Sequence, residues 1–140
     1  MLDQDKKEIT VEEMVEEIKK SFDGFGAALD VFRKAYIETM FWSSTDDDDE
    51  PLDYDYTSKD IATRSMSSIN KDCAQFMILT WGIIRSDLKR AGHDFWLTRQ
   101  HHGPGFWDGD WGQYGDILTE VAHLFPEQYP YVSMGVVIIK

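Results

Sequence analysis

The chain is poor in the residues that would place it outside the cell or in a membrane. It has one cysteine, Cys73, so no disulfide can form within it, which suits a reducing cytoplasm. No apolar run approaches the roughly 20 residues that a membrane-spanning helix requires. The opening residues, Met-Leu-Asp-Gln-Asp-Lys-Lys-Glu, lack the apolar stretch of a secretory leader, and a cytoplasmic, non-membrane protein is expected. Basic charge is also scarce. The chain has 14 Lys and Arg against 26 Asp and Glu, a net charge of -12. Through Asp60 it carries 18 acidic and 7 basic side chains, and beyond Asp60 it carries 8 and 7. Nearly all the excess therefore lies in the first two-fifths. Phosphate backbones are repelled by such a surface, so direct nucleic-acid binding is disfavoured. A basic host protein, itself a binder of nucleic acid, is the complementary partner.

What is present argues for a folded domain. Hydrophobic residues make up 42% of the chain and aromatics 14%, too many for disorder, and 140 residues suit a single domain, 1–140, with a real core. Thr10-Val-Glu-Glu13 matches a capping box. Val11, Val15, Ile18 and Phe22 then recur at helical spacing beside Met14, predicting an acidic N-terminal helix over about 1–26 that Asp23-Gly-Phe-Gly26 ends. A second helix is expected from about 27 to 42, with Leu29, Phe32, Tyr36 and Met40 on its apolar face. Residues 43–60 read as an acidic loop, tacked to the body by Leu52, Tyr54 and Tyr56.

A third helical region is expected from near Ser58 to Gly92, as one helix or two. Ile69, Cys73, Phe76, Met77 and Thr80 line its apolar stripe, Gly82 marks a kink and Gly92 its end. The alternating, aromatic residues 94–99 predict a strand, turned at Gly103-Pro-Gly105 and paired with 105–107. A short helix over about 114–124 and strands over 129–133 and 136–139 complete the pattern. Helices followed by strands imply an α+β fold, its N-terminal helices packed with a small antiparallel sheet from the C-terminal half.

Residues 93–112 are the densest in information. They hold three of the five tryptophans, Trp96, Trp107 and Trp111, together with Phe95 and Phe106 among several glycines. The segments Ala35-Tyr-Ile-Glu-Thr-Met-Phe-Trp-Ser-Ser44 and Gly92-His-Asp-Phe-Trp-Leu-Thr-Arg99, the latter followed by Gly103-Pro-Gly-Phe-Trp-Asp-Gly109, are similar to a group of small accessory proteins encoded by phages and other bacterial mobile elements. The similarity runs from about residue 35 to the C-terminus and takes in Asp60-Ile-Ala62 and Asp72-Cys73. The resemblance implies a setting, a phage-infected bacterium in which small acidic proteins block host defence or DNA-processing enzymes. It implies no catalytic residue, and it leaves the Glu-rich N-terminal helix as a feature of this member.

Three functional readings follow. In the first, Asp46, Asp47, Asp48, Asp49 and Glu50, with Asp53 and Asp55, join Glu12, Glu13, Glu16 and Glu17 in an array of negative charge. Such an array mimics a nucleic-acid backbone and occupies the basic groove of a host protein, as an inhibitor of the anti-CRISPR or anti-restriction type. The plainer alternative is a solvated loop, with first-turn glutamates that complement the helix dipole. The run is not an EF-hand: counted from Asp46, the sixth position is Pro51 rather than Gly and the twelfth is Thr57 rather than an acid.

The second reading is a small metal-dependent hydrolase or nuclease centred on His101, His102, Asp108 and Asp110. Against it, adjacent histidines in a strand point to opposite faces, and no Cys pair or His-Glu-x-x-His motif accompanies them. One of His93, His101, His102 and His123 paired with Asp94, Asp108 or Asp110 is a further acid–base arrangement. The third reading is an interaction module that binds through exposed Trp107 and Trp111 on the shaped loop, the alternative being that Phe95, Trp96, Phe106 and Trp107 are core. Cys73, on an apolar stripe, reads as an inert buried thiol, and Arg99 as a structural ion pair with Asp94 or Asp108. No cofactor or metal is expected, and no residue stands out as catalytic.

Overall fold

The computed structural model describes residues 10–102 and 104–140, without the side chains of residues 14–23. Among the described residues four α-helices and one hairpin make up the α+β fold: α1 Val11–Ser43, α2 Thr63–Ile84, α3 Leu88–Arg99, α4 Gly115–Ala122, β1 Pro130–Ser133 and β2 Val136–Ile139. The capping box starts α1 as its sequence requires. The Thr10 hydroxyl accepts from the Glu13 amide at 3.1 Å, and the Glu13 carboxylate accepts from the Thr10 amide at 3.2 Å.

The helix does not end at Gly24-Phe25-Gly26 but runs unbroken for 33 residues. Each glycine there faces open space and keeps a helical φ, so it weakens the helix by roughly 1 kcal/mol without redirecting it. The packing of Ala28, Phe32, Ala35 and Tyr36 outweighs that loss. The expected apolar positions Val15, Ile18 and Phe22, with Met14, lie outside the described residues.

Helix α2 descends against α1. Phe25 meets Trp81, Phe32 stacks near Phe76, and the Arg33 guanidinium donates to Asn70 at 2.9 Å. It passes through Gly82 to Ile84, and the stripe of Ile69, Cys73, Phe76, Met77 and Thr80 is buried as its spacing predicts. Since α2 ends three residues beyond Trp81, while α1 extends fourteen residues before Phe25, α1 overhangs its partner by about 16 Å.

The main correction concerns residues 94–99, which are the C-terminal half of α3 and not a strand. The Asp87 side chain caps α3 by accepting from the Arg90 amide at 3.2 Å. Gly92 lies inside this helix rather than at the end of the preceding one. A Cβ there would collide with the Phe32 carbonyl of α1, so glycine is what lets the two backbones touch. Residues 94–99 are buried on every side, which erases the polar face by which a helix is recognised.

Residues 105–107 are likewise a turn and not a strand. Gly105 has φ +152°, and a Cβ on it would strike the Thr98 hydroxyl. That hydroxyl instead accepts from the Phe106 amide at 3.1 Å, pinning the turn onto α3. Phe32, Phe76, Phe95, Phe106 and Phe125 then meet in one aromatic core, with Phe76 and Phe95 stacked at 4.1 Å.

The sheet has two antiparallel strands, in register from Pro130 opposite Ile139 to Ser133 opposite Val136, with the turn at Met134-Gly135. Val137 is fully buried, and its carbonyl accepts from Ala62 at 2.9 Å, which seats the hairpin at the start of α2. Among the described residues no helix is long and apolar enough to cross a membrane.

Candidate functional site

The Asp-Phe-Trp-Leu-Thr-Arg segment is internal scaffolding. Trp96 is buried and donates its indole N–H to Ser43 at 2.9 Å. Arg99 is 1% exposed and serves three partners. Its Nη1 donates to Asp72 at 2.9 Å and to the Tyr36 hydroxyl at 3.1 Å. Its Nε and Nη2 converge on the Pro126 carbonyl at 3.0 and 2.7 Å. The ion pair expected for Arg99 is therefore with Asp72 from α2, and not with Asp94 or Asp108. Burial raises the Tyr36 hydroxyl well above the usual phenol range despite the adjacent guanidinium, so Tyr36 stays neutral.

Asp94 is buried and accepts from the Trp111 indole at 2.8 Å, with His93 Nδ1 2.9 Å from its other oxygen. Desolvation holds its carboxyl above the ordinary aspartate value, against both hydrogen bonds, which favour the anion. Trp111 is thus half-buried with its N–H committed, whereas Trp107 is 50% exposed, its ring 6.2 Å from that of His123. Phe95, Trp96 and Phe106 are core. Cys73 is fully buried, and burial with the nearby Asp72 raises its thiol far above the reactive range.

The histidines and aspartates of residues 101–110 go to different partners. His101 stacks on His123 at 4.2 Å and lies 4.0 Å from Glu127. His123 donates from Nε2 to the Thr98 carbonyl at 3.1 Å. Asp110 pairs with Arg90 at 2.8 Å, and His102 and Asp108 are exposed. Among the described residues no three His, Cys, Asp or Glu side chains stand close enough to hold a metal ion.

The acidic segment is built, not loose. Residues 44–62, here called the strap, join α1 to α2 and carry eight carboxylates against Lys59 alone. Thr45 bridges to Pro51, the Leu52 amide donates to the Ser44 carbonyl at 3.0 Å, and the Asp46 amide donates to the Glu50 carbonyl at 2.9 Å. One oxygen of Asp46 accepts from the amides of Asp48 at 2.9 Å and Glu50 at 3.0 Å, closing an Asx turn with Asp49 at φ 60°. Leu52 is fully buried and Tyr56 half-buried, while Tyr54 is exposed and does not anchor the strap. Thr57 and Asp60 cap each other to close its far end.

The turn thus displays Asp47, Asp48, Asp49 and Glu50, with Asp53 and Asp55 following, all exposed. Among the described residues no Lys, Arg or His forms an ion pair with any of these six. Glu12 and Glu13 are exposed in the first turn of α1, and the side chains of Glu16 and Glu17 lie outside the described residues. Glu12 and Asp46 are at opposite ends of α1, about 46 Å apart along its axis. The strap is therefore a compact acidic surface by itself, and the two glutamates do not extend it locally. The spacing of Asp46 and Leu52 foreshadows this structure, since a turn-forming aspartate followed by Pro51 and an isolated leucine is what an anchored turn needs.

Compared with protein-family models, curated proteins and solved structures, the chain matches none of them.

Proposed function

We propose that this protein acts by binding, with the strap as its contact surface and a basic, nucleic-acid-binding host protein as its partner. One observation carries this reading: the strap displays six exposed carboxylates, four of them on the turn that Asp46 closes, with no cation of the described chain neutralising them. Like charges gathered on an ordered surface repel one another, a cost that a cationic partner relieves on contact. Placed in a groove that normally takes a phosphate backbone, they compete with nucleic acid. The resemblance to phage and mobile-element accessory proteins gives the setting, with inhibition of a host defence or DNA-processing protein in the bacterial cytoplasm as the outcome.

The test is retention of basic proteins from bacterial lysate on the immobilised chain, followed by competition of each captured protein with labelled duplex DNA. Capture is expected to fall at least tenfold between ~50 and ~200 mM salt, and the captured protein is expected to release DNA when the chain is added. Changing Asp46, Asp47, Asp48 and Asp49 together to Asn weakens both effects. Binding that is indifferent to salt and survives those four changes refutes the proposal.

A further inference from the structure

A groove of about 870 Å³ runs between α1, the strap and the start of α2. Its long wall is one face of α1, where Asp30, Arg33, Ile37 and Phe41 recur at three- and four-residue spacing. From Asp30 to Trp42 the wall is about 18 Å long, or a little over three helical turns. The floor is apolar: Ile37 and Phe41 from α1 and Met66 from α2, with Trp42 and Tyr56 along the rim. Trp42 is 50% exposed at the mouth of this trough, its ring 6.1 Å from that of His93.

The two walls differ in charge. Along α1 two acids, Asp30 and Glu38, balance two bases, Arg33 and Lys34, and Arg33 is already held by Asp30 and Asn70. The opposite wall is the strap: its Asp53, with Tyr56, Thr57 and Ser58, lines the groove, and its seven other carboxylates lie beyond the lining. An occupant therefore needs an apolar stripe for the floor and positive charge on the flank that faces the strap. The elongated shape suits a helical segment whose anchors fall at positions i, i+3 or i+4, and i+7.

We infer that this groove receives a basic amphipathic helix of the partner protein. The inference rests on the proposed role of the strap and adds an apolar anchor to it. Carboxylates alone give long-range, salt-sensitive attraction with little discrimination. Leucine-sized side chains seated against Met66, Trp42 and Tyr56 give the short-range part, which salt does not screen. Charge and apolar floor together select a basic helix over a merely basic chain.

Three synthetic helical peptides of about 14 residues, long enough for the trough, separate the contributions. One carries a leucine stripe and a lysine flank, the second has glutamine in place of leucine, and the third has glutamate in place of lysine. Titration by fluorescence anisotropy is expected to show the Leu/Lys peptide binding at least ~10-fold more tightly than the Gln/Lys peptide, and the Leu/Glu peptide failing to bind. Trp42→Ala and Met66→Ser are expected to abolish the leucine advantage while leaving Gln/Lys binding unchanged. Circular dichroism confirms that each variant is folded, and Trp42 at the rim provides the second variant if Met66→Ser is not. Equal binding of the two lysine peptides overturns the groove but leaves the charge-based function standing. Failure of both lysine peptides at low salt overturns that function as well. Tight binding of the Leu/Glu peptide overturns the basic occupant.

Discussion

Replacing Arg99 with methionine is expected to cost this fold much of its stability. The side chain is almost fully enclosed, and four hydrogen bonds leave it for three different segments: the Asp72 carboxylate on α2, the Tyr36 hydroxyl on α1, and the Pro126 carbonyl before the hairpin. Its guanidinium also lies 5.5 Å from the Phe95 ring centroid and 5.6 Å from that of Phe125. Methionine fills similar space but leaves a carboxylate without its counter-charge and a carbonyl without its donors. Removing one member of such a pair costs about 3–5 kcal/mol, against a total of roughly 5–15 kcal/mol for a domain. At roughly 3–4 °C per kcal/mol for this size, the melting temperature falls by about 10–20 °C.

The assay is urea and thermal unfolding of the wild type, Arg99→Met, Asp72→Leu and the double variant. The double variant is expected to lose less than the sum of the singles by about 1–3 kcal/mol, because no unpaired charge remains in it. A loss below ~1 kcal/mol for Arg99→Met, or strict additivity in the cycle, refutes the account of Arg99 as the joint of the core.

Three further outcomes follow from the geometry. Gly92→Ala forces α1 and α3 apart and is expected to destabilise by about 1–3 kcal/mol in urea unfolding, whereas Gly82→Ala, in open space, stabilises by about 0.5–1 kcal/mol; equal effects contradict the close packing at position 92. Asp94 has a folded-state pKa above its unfolded one, so the stability it lends is complete below the unfolded pKa and is lost as pH rises through the folded one. Asp94→Asn, which still accepts from Trp111, is expected to flatten that part of the stability–pH curve, and an unchanged slope refutes the assignment. Leu52→Ala removes the buried anchor of the strap, is expected to cost about 2–5 kcal/mol, and opens residues 44–62 to limited proteolysis; a strap as resistant as the wild type shows that its polar contacts suffice.

Residues whose surroundings change from one face to the other were readable from the sequence. The stripe through Ile69, Cys73 and Phe76, the short helix before Pro126 and the final hairpin all have one wet side and one dry side, and a period follows from that contrast, while the Thr10–Glu13 cap was legible from its residue types alone. The 94–99 half of α3 has no such contrast. Enclosed by α1, α2 and the 105–107 turn, it presents aromatic, aliphatic and charged residues to the interior alike, and local alternation imitates a strand. Gly92 misleads for a related reason. Glycine ends a helix when it supplies a left-handed φ, but here it stays helical and supplies missing volume, a requirement set by Phe32, sixty residues earlier. The strap was legible as acidic and anchored, but its order comes from backbone bonds to the Asp46 carboxylate, which composition does not report. The overhang of α1 separates Glu12 and Glu13 from the strap, a distance that appears only once α1 is known to be continuous.

Cys73 makes the molecule its own clock. It is the single thiol of the chain, fully enclosed on α2 and suppressed as a thiolate by burial and by Asp72. A disulfide reagent added to the native protein reacts only during the moments when the helical core opens, so the colour it releases counts openings rather than collisions. The same silence leaves the surface free for labelling. A cysteine introduced at an exposed strap position such as Asp47 is the one site that a maleimide dye reaches, with no background thiol to remove first.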